Sequence, residues 1–268
     1  MRLLAALLIL GSALSGRAGS DVEVHYKEGL IHGFLVLSTT EGTPIAEGDL
    51  TQVAHGSQIT SRLTFHFKDG SLQDETTVFS QGKVFSLVSY HLVQKGASFK
   101  HPNDLTIAAS TGQVSVHYTD DKGKEQSVDE HMNLPSDLAN GLVLTLLKNL
   151  RPGETPPELS MVVAAPKPRV VKLKIGYEGK EPFSLAGSNR EAMHYTIKIE
   201  IGGLEGWLAP LFGKQPPDSH VWILGGEAPT FVKSETLSYV GGPMWRTELL
   251  SPVWPQAADG PKRASAEP

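Results

Sequence analysis

Residues 57–95 read SQITSRLTFHFKDGSLQDETTVFSQGKVFSLVSYHLVQK, three β-type runs separated by Asp69-Gly70 and Gln81-Gly82. Aromatic and β-branched side chains suit a pleated, half-buried surface. An X-Gly pair between two such runs marks a tight hairpin, because glycine accepts the positive φ that the turn needs. With two-residue turns at both places, Leu63, Phe65, Phe67, Leu72, Val78, Phe85 and Leu87 share one face. Arg62, Thr64, His66, Gln73, Glu75, Thr77 and Ser86 share the other. One apolar face and one wet face is the pattern of an antiparallel sheet covered on one side. The stretch therefore predicts a three-strand meander.

The same pattern continues on both sides. A hairpin is expected over Gln113 to His131, where Asp120-Asp121-Lys122-Gly123 suits a type I turn closed by a glycine bulge. Further strands are expected at Val22–Lys27, Leu30–Thr39, Ile45–His55, Asp104–Ser110, Leu159–Ala165, Val170–Tyr177, Met193–Ile201, His220–Leu224, Phe231–Val240 and Met244–Leu250. Gly241-Gly242 forms the turn between the last two. One segment departs from the β pattern. Leu138, Leu142, Leu146 and Leu150, with Ala139, Val143 and Leu147, make an apolar stripe at helical spacing. Ser136 is placed to cap this helix, Asp137 to complement its dipole, and Arg151-Pro152-Gly153 to end it. The reading is all-β: a curved, mostly antiparallel sheet, a half-barrel or open barrel, with one packed amphipathic helix over 136–150. It spans a single domain, 21–254, followed by a polar, Ala/Pro-rich tail, 255–268, of the composition that stays disordered.

Residues 1–20 form a secretory signal peptide by pattern. Arg2 precedes the apolar run Leu3 to Leu10, and small residues follow, allowing cleavage after Ser15, Ala18 or Ser20. The apolar run is far shorter than the ~20 residues a membrane-spanning helix needs. The expected location is therefore periplasmic or secreted. Loss of Arg2 and Arg17 with that segment leaves 22 basic against 29 acidic side chains. That balance argues against nucleic acid, which requires a clustered basic surface, and against anionic lipid headgroups. The chain has no cysteine, which removes disulfides, thiolate metal sites and cysteine nucleophiles.

Signals for catalysis are weak. The ten histidines show no HExxH or HxH spacing, so no metal site is expected. There is no GxSxG elbow, P-loop or dinucleotide fingerprint, and no cofactor is expected. Two-residue turns place Asp74 diagonal to His91 on the apolar face, a pair that would serve a hydrolase but more often is a structural hydrogen bond. The Gly241-Gly242 turn sets Glu235 opposite Glu248, with Lys233 and Arg246 on the same face, which reads as a solvated charge ladder. No catalytic residue is assigned.

All four tryptophans fall in the C-terminal third. Trp207, Leu208, Leu211 and Phe212, in a Pro/Gly-broken apolar stretch, and Trp222 are the candidate ligand-binding residues, as the lip of an apolar cavity. Their alternative role is to fill a core corner, the commoner use of aromatic side chains.

The order of elements resembles exported bacterial proteins of the domain-of-unknown-function family 3108. The resemblance rests on the strand pair around Ser80, Gly82 and Tyr90 and on the helix ending Leu150-Arg151-Pro152-Gly153. A Trp222 strand leading to Pro229 and a final hairpin completes it. It implies a curved, mostly antiparallel sheet, loosely like periplasmic lipoprotein carriers, and no catalytic residues. The expected function is non-enzymatic binding of an apolar or amphipathic, lipid-like ligand. The alternatives are an envelope structural or protein-interaction module and, more remotely, a hydrolase.

Overall fold

The computed structural model describes residues 21–250 apart from positions 121, 152, 165, 166, 186, 201–215 and 240. The chain first lays down β1 (Ile31–Thr39), β2 (Pro44–His55), β3 (Gln58–Phe67), β4 (Leu72–Gln81), β5 (Phe85–Lys95), β6 (Asn103–Ala108), β7 (Gln113–Thr119) and β8 (Glu125–His131). It then passes through one short helix, α1 (Val143–Lys148). The second arm comprises β9 (Glu158–Ala164), β10 (Pro168–Leu185), β11 (Ser188–Glu200), β12 (Ser219–Leu224), β13 (Thr230–Leu237) and β14 (Met244–Leu249). Each strand pairs antiparallel with its neighbour in sequence within its arm, and β14 returns to pair with β1. The result is one fourteen-stranded sheet with β8 and β9 at its two edges.

The sheet curls on itself. Phe79, Leu105, Ile107 and Val116 of the first arm share one buried cluster with Leu159, Leu173, Tyr195 and Ile223 of the second. Such distant strands meet only if the sheet wraps around a common interior. The segment between the arms fills part of that interior: Leu138, Ala139, Leu142, Leu146 and Leu147 all belong to the same cluster. Burial of each such leucine contributes about 1.5–3 kcal/mol.

The helix is shorter than its leucine spacing predicts. Only Val143–Lys148 is α-helical. Ser136 does not cap it; its hydroxyl donates to Asp21 at 3.1 Å. Asp137 pairs instead with Lys172 at 3.0 Å. Leu138 makes a parallel bridge with Ser160, and the Ala139 N–H donates to the Ser160 carbonyl at 2.7 Å. This half of the segment thus runs along the unpaired side of β9, protecting a sheet edge that would otherwise expose free backbone groups. Asn140-Gly141, with Gly141 at φ 67°, turns the chain before α1 begins. The expected first strand at Val22–Lys27 also contracts, to a single bridge between Glu23 and Val84.

The meander is present with a different register. Both X-Gly turns are three-residue loops, since Phe67 N–H donates to Ser71 O at 3.0 Å and Gln81 pairs with Phe85. A one-residue change in loop length turns every side chain of the next strand over. β4 is therefore inverted relative to expectation: Leu72 and Val78 face outward, while Gln73, Glu75, Thr77 and Phe79 face the interior. The second three-residue loop restores the parity, so Phe85 and Leu87 share the concave face with Leu63, Phe65 and Phe67, as expected.

Close packing at the far end of β2 depends on one missing side chain. A Cβ on Gly48 would lie 2.5 Å from the buried Phe65 ring and 3.0 Å from Leu35 Cβ. Gly48→Ala is expected to destabilise the fold by about 1–3 kcal/mol through overpacking. Urea unfolding checks this; an unchanged midpoint would show that the ring has room to move.

Candidate functional site

Both ends of the concave face are closed, and its middle is not. At one end Glu28, Gln52 and Gln81 are buried together. The Glu28 N–H donates to Gln81 Oε1 at 2.7 Å, Gln52 Nε2 donates to Glu28 Oε2 at 3.0 Å, and the Lys148 ammonium pairs with the Glu28 carboxylate. At the other end Phe67, Phe99 and Trp245 pack edge-on and tilted, with centroids 5.2–5.8 Å apart, over Leu35, Leu37, Ala46 and Phe65.

Between these closures the inner positions run Leu50 on β2, Leu63 on β3, Glu75 on β4 and Leu92 on β5, neighbours in register. All four are only half-buried, as is Phe231 on β13, which touches both apolar clusters. Inner-face residues of a curled sheet keep accessible surface only where no side chain fills the space before them. The half-buried set marks a stretch of the concave face, the hollow, less completely covered than either end. Gly141 bears on it from the inter-arm segment: a Cβ there would strike Thr77 Oγ1 at 1.9 Å and the Tyr90 ring at 3.0 Å.

Glu75 sets the electrostatics of this hollow. Its Oε2 accepts a hydrogen bond from the Tyr90 hydroxyl at 3.3 Å. Enclosure by protein pushes its carboxyl up to about 7, opposed in part by the Tyr90 hydrogen bond. Burial and the neighbouring Glu75 charge hold the Tyr90 phenol well above its usual value, so it remains a donor. Glu75 is deeply surrounded and yet retains accessible surface. The two facts agree if that surface opens on an interior space rather than on bulk solvent.

The convex face carries a separate polar cluster. Trp222 is buried there, its Nε1 donating to Glu181 Oε2 at 2.8 Å. His194 stacks on Trp222 at 4.4 Å, with Nδ1 2.7 Å from Glu181 Oε1 and Nε2 3.0 Å from His220 Nδ1, and Lys233 lies 3.7 Å above the indole. The hydrogen bond from Trp222, aided by the His194 charge and opposed by desolvation, leaves the Glu181 carboxyl below its ordinary value. Trp222 thus belongs to a packed polar layer on the outside of the sheet, away from the hollow. Trp207, Leu208, Leu211 and Phe212 lie outside the described residues, as do the expected signal peptide and tail.

Neither pair weighed for catalysis is assembled. Asp74 and His91 remain diagonal neighbours, but on the convex face, where Arg62 binds Asp74 at 2.6 and 2.9 Å and His91 lies 2.9 Å from Asp104. The Arg62 hydrogen bonds lower the Asp74 carboxyl against the opposing effect of burial. Glu235 pairs in register with Arg246 and Glu248 with Lys233, because the last hairpin loop spans four residues, not two. The charge ladder replaces the paired carboxylates. Among the described residues no group of three or more acidic or histidine side chains is arranged to hold a metal ion, and no helix is long and apolar enough to cross a membrane. An open cleft of about 970 Å³ lies where the N-terminal segment, the end of α1 and β10 meet. Its lining sets the charged or polar Glu23, His25, Arg151, Glu154, Lys174 and Glu200 beside the apolar Val22, Leu150, Pro156, Pro157 and Ile175.

No protein-family model and no curated protein matches the chain. Two solved structures are similar in fold. The hypothetical lipoprotein YmcC from Escherichia coli aligns over 83% of this chain and 85% of its own, with 9% identity and a TM-score of 0.36. A β-barrel-like protein of domain of unknown function 1849 from Brucella abortus aligns over 87% of this chain and 98% of its own, with 12% identity and a TM-score of 0.43.

None of Glu75, Tyr90, Leu50, Leu92 and Phe231 is among the site residues expected from sequence, which puts Glu75 on the wet face and uses Tyr90 only for the family resemblance. The available signal was Gly70, which closes the first meander turn and also fits a three-residue loop with a left-handed last position. Gly70 adopts that conformation, at φ 84°.

Proposed function

We propose that the protein is a non-enzymatic carrier or receptor of an apolar or amphipathic, lipid-like ligand, held in the concave hollow of the half-barrel. The observation that carries this reading is the set of half-buried Leu50, Leu63, Leu92 and Phe231 side chains between two closed ends. Apolar surface left open inside a fold gains free energy when a ligand covers it, at about 25 cal/mol per Å². An apolar lining with a few placed polar groups is the usual composition of a small-molecule site. The signal-peptide pattern of residues 1–20 supports a role outside the cytoplasm, where an apolar compound needs shelter from water.

Leu63→Trp tests the site. The indole would occupy the hollow from β3 without adding charge. Protein secreted with its own leader and purified without detergent is expected to show a discrete extractable added mass by native mass spectrometry. The variant is expected to lose that mass while keeping its β-type circular dichroism. An added mass that persists in the folded variant would place the ligand elsewhere, and a wild type with neither native ligand nor affinity for added amphiphiles would overturn the reading.

A further inference from the structure

We infer that the hollow selects amphiphiles whose polar head donates a hydrogen bond, a hydroxyl or a primary ammonium, and rejects those ending in a carboxylate or phosphate. This rests on the binding reading above and adds the class of ligand. The argument is one of charge complementarity. In register, the inner positions of β1–β7 and β11–β14 contain no lysine, arginine or histidine. Lys148 and Lys172 are engaged with Glu28 and Asp137; on β10, outside that set, Lys180 stands in register with Met193 and pairs with Glu191, and the Arg169 Nε is buried. Arg62, His91 and Lys233 lie on the convex side of the same strands.

Beside Glu75, an anionic head would find no counter-charge on the described inner positions of β1–β7 and β11–β14, and the cost of leaving it unpaired in a low-dielectric interior is severe. It would instead meet Glu75. Among the described residues that carboxyl accepts one hydrogen bond, from Tyr90 to Oε2, which leaves Oε1 able to accept from a donor head. Thr77 and Ser61, at neighbouring inner positions, add hydroxyls. A donor head at Glu75 would place an alkyl tail against Leu50, Leu63, Leu92 and Phe231.

The test is isothermal titration of the folded, delipidated protein with decylamine, decanol and decanoate, each below its aggregation concentration, at about pH 8, where Glu75 is mostly ionised. The amine and the alcohol are expected to bind at least about tenfold more tightly than decanoate. In Glu75→Gln the gap between decanol and decanoate is expected to narrow to within about threefold. Decanol separates hydrogen bonding from simple attraction of a cation to an acidic protein. Equal binding of decanol and decanoate by the wild type overturns the selectivity, and this comparison stands even if the variant does not fold. A gap that survives in folded Glu75→Gln assigns the selectivity to another group and overturns the role of Glu75. Binding by none of the three overturns the hollow as a binding site, a failure distinct from equal binding by all.

Discussion

Glu75→Gln is expected to stabilise the protein at neutral and alkaline pH and to leave it nearly unchanged in mild acid. The carboxyl titrates near 7 in the folded protein against an ordinary value of 4.5. Below 4.5 it is protonated in both folded and unfolded chains, and the native state bears no penalty. Between 4.5 and 7 the unfolded chain releases its proton while the folded chain keeps it, so stability falls as pH rises through this window. Above 7 both forms are ionised, and the full cost of holding a charge in the interior remains. Among the described residues no opposing cation faces it: Tyr90 donates from β5, while Leu63, Leu92 and Thr77 are the neighbouring inner side chains. The full shift corresponds to about 3 kcal/mol, and contact of the half-open residue with water in the hollow reduces the expected effect to about 2 kcal/mol. Urea unfolding of wild type and variant at about pH 5 and pH 8 isolates this contribution. The carboxylates held low by hydrogen bonds, such as Asp69, Asp74 and Asp120, act below this window and are common to both chains. Parallel stability profiles for the two proteins would mean that Glu75 is as well solvated folded as unfolded.

The importance of Glu75 could not be read from local pattern, for a specific reason. The period-2 alternation of β3, β4 and β5 shows that each strand has an apolar and a polar face. It does not state which face of β4 joins the core, because Leu72 and Val78 compete with Phe79 and the buried Thr77 and lie on opposite sides. Loop length decides, and Asp69-Gly70 is compatible with two or three loop residues. The Asp69 carboxylate accepts from the Ser71 N–H at 2.9 Å, which helps to hold the longer loop. Two such changes cancel at β5, so Phe85 and Leu87 were placed correctly although β4 was not. Strand existence, governed by composition and turn residues, was legible through nearly the whole described chain. The all-antiparallel curved sheet followed from it. Face assignment within β4 and the hollow that it creates required the register.

The inter-arm segment shows the same limit at the level of tertiary contacts. Leu138, Leu142, Leu146 and Leu150 have helical spacing, and three of the four are buried in the main cluster, so the apolar stripe was identified correctly. Its first turn is nevertheless extended. The backbone of Asp137, Leu138 and Ala139 finds partners on β9 that a helix would deny it, and Asn140-Gly141 supplies the turn. Intrinsic propensity over six residues amounts to at most a few kcal/mol and yields to such contacts.

Asn140 clamps that segment to β9, and Asn140→Ala is expected to cost about 3 kcal/mol. Its Nδ2 donates to the Val162 carbonyl at 2.9 Å, and the Val162 N–H donates to its Oδ1 at 2.8 Å. The side chain thus reproduces a rung of β-ladder at the edge of β9, and both residues are buried. Alanine would leave one backbone donor and one acceptor unpaired away from water, at about 1–3 kcal/mol each. For a domain of this size the expected fall in Tm is about 6–12 °C. Ser160→Ala, two residues away on the same strand, is the control. Among the described residues the buried Ser160 hydroxyl has no hydrogen-bond partner, so its removal is expected to change stability by less than about 0.5 kcal/mol or to raise it slightly. Hydrogen exchange adds a local readout: in Asn140→Ala the amide of Val162 should exchange faster relative to those of β4 and β5. A loss below about 1 kcal/mol would show that water or a shifted backbone replaces the clamp. Because Gly141 follows directly and bears on Thr77 and Tyr90, loosening Asn140 also releases the wall of the hollow nearest Glu75. A loss of ligand affinity larger than the stability loss accounts for would therefore trace the coupling from the edge of the sheet to the site.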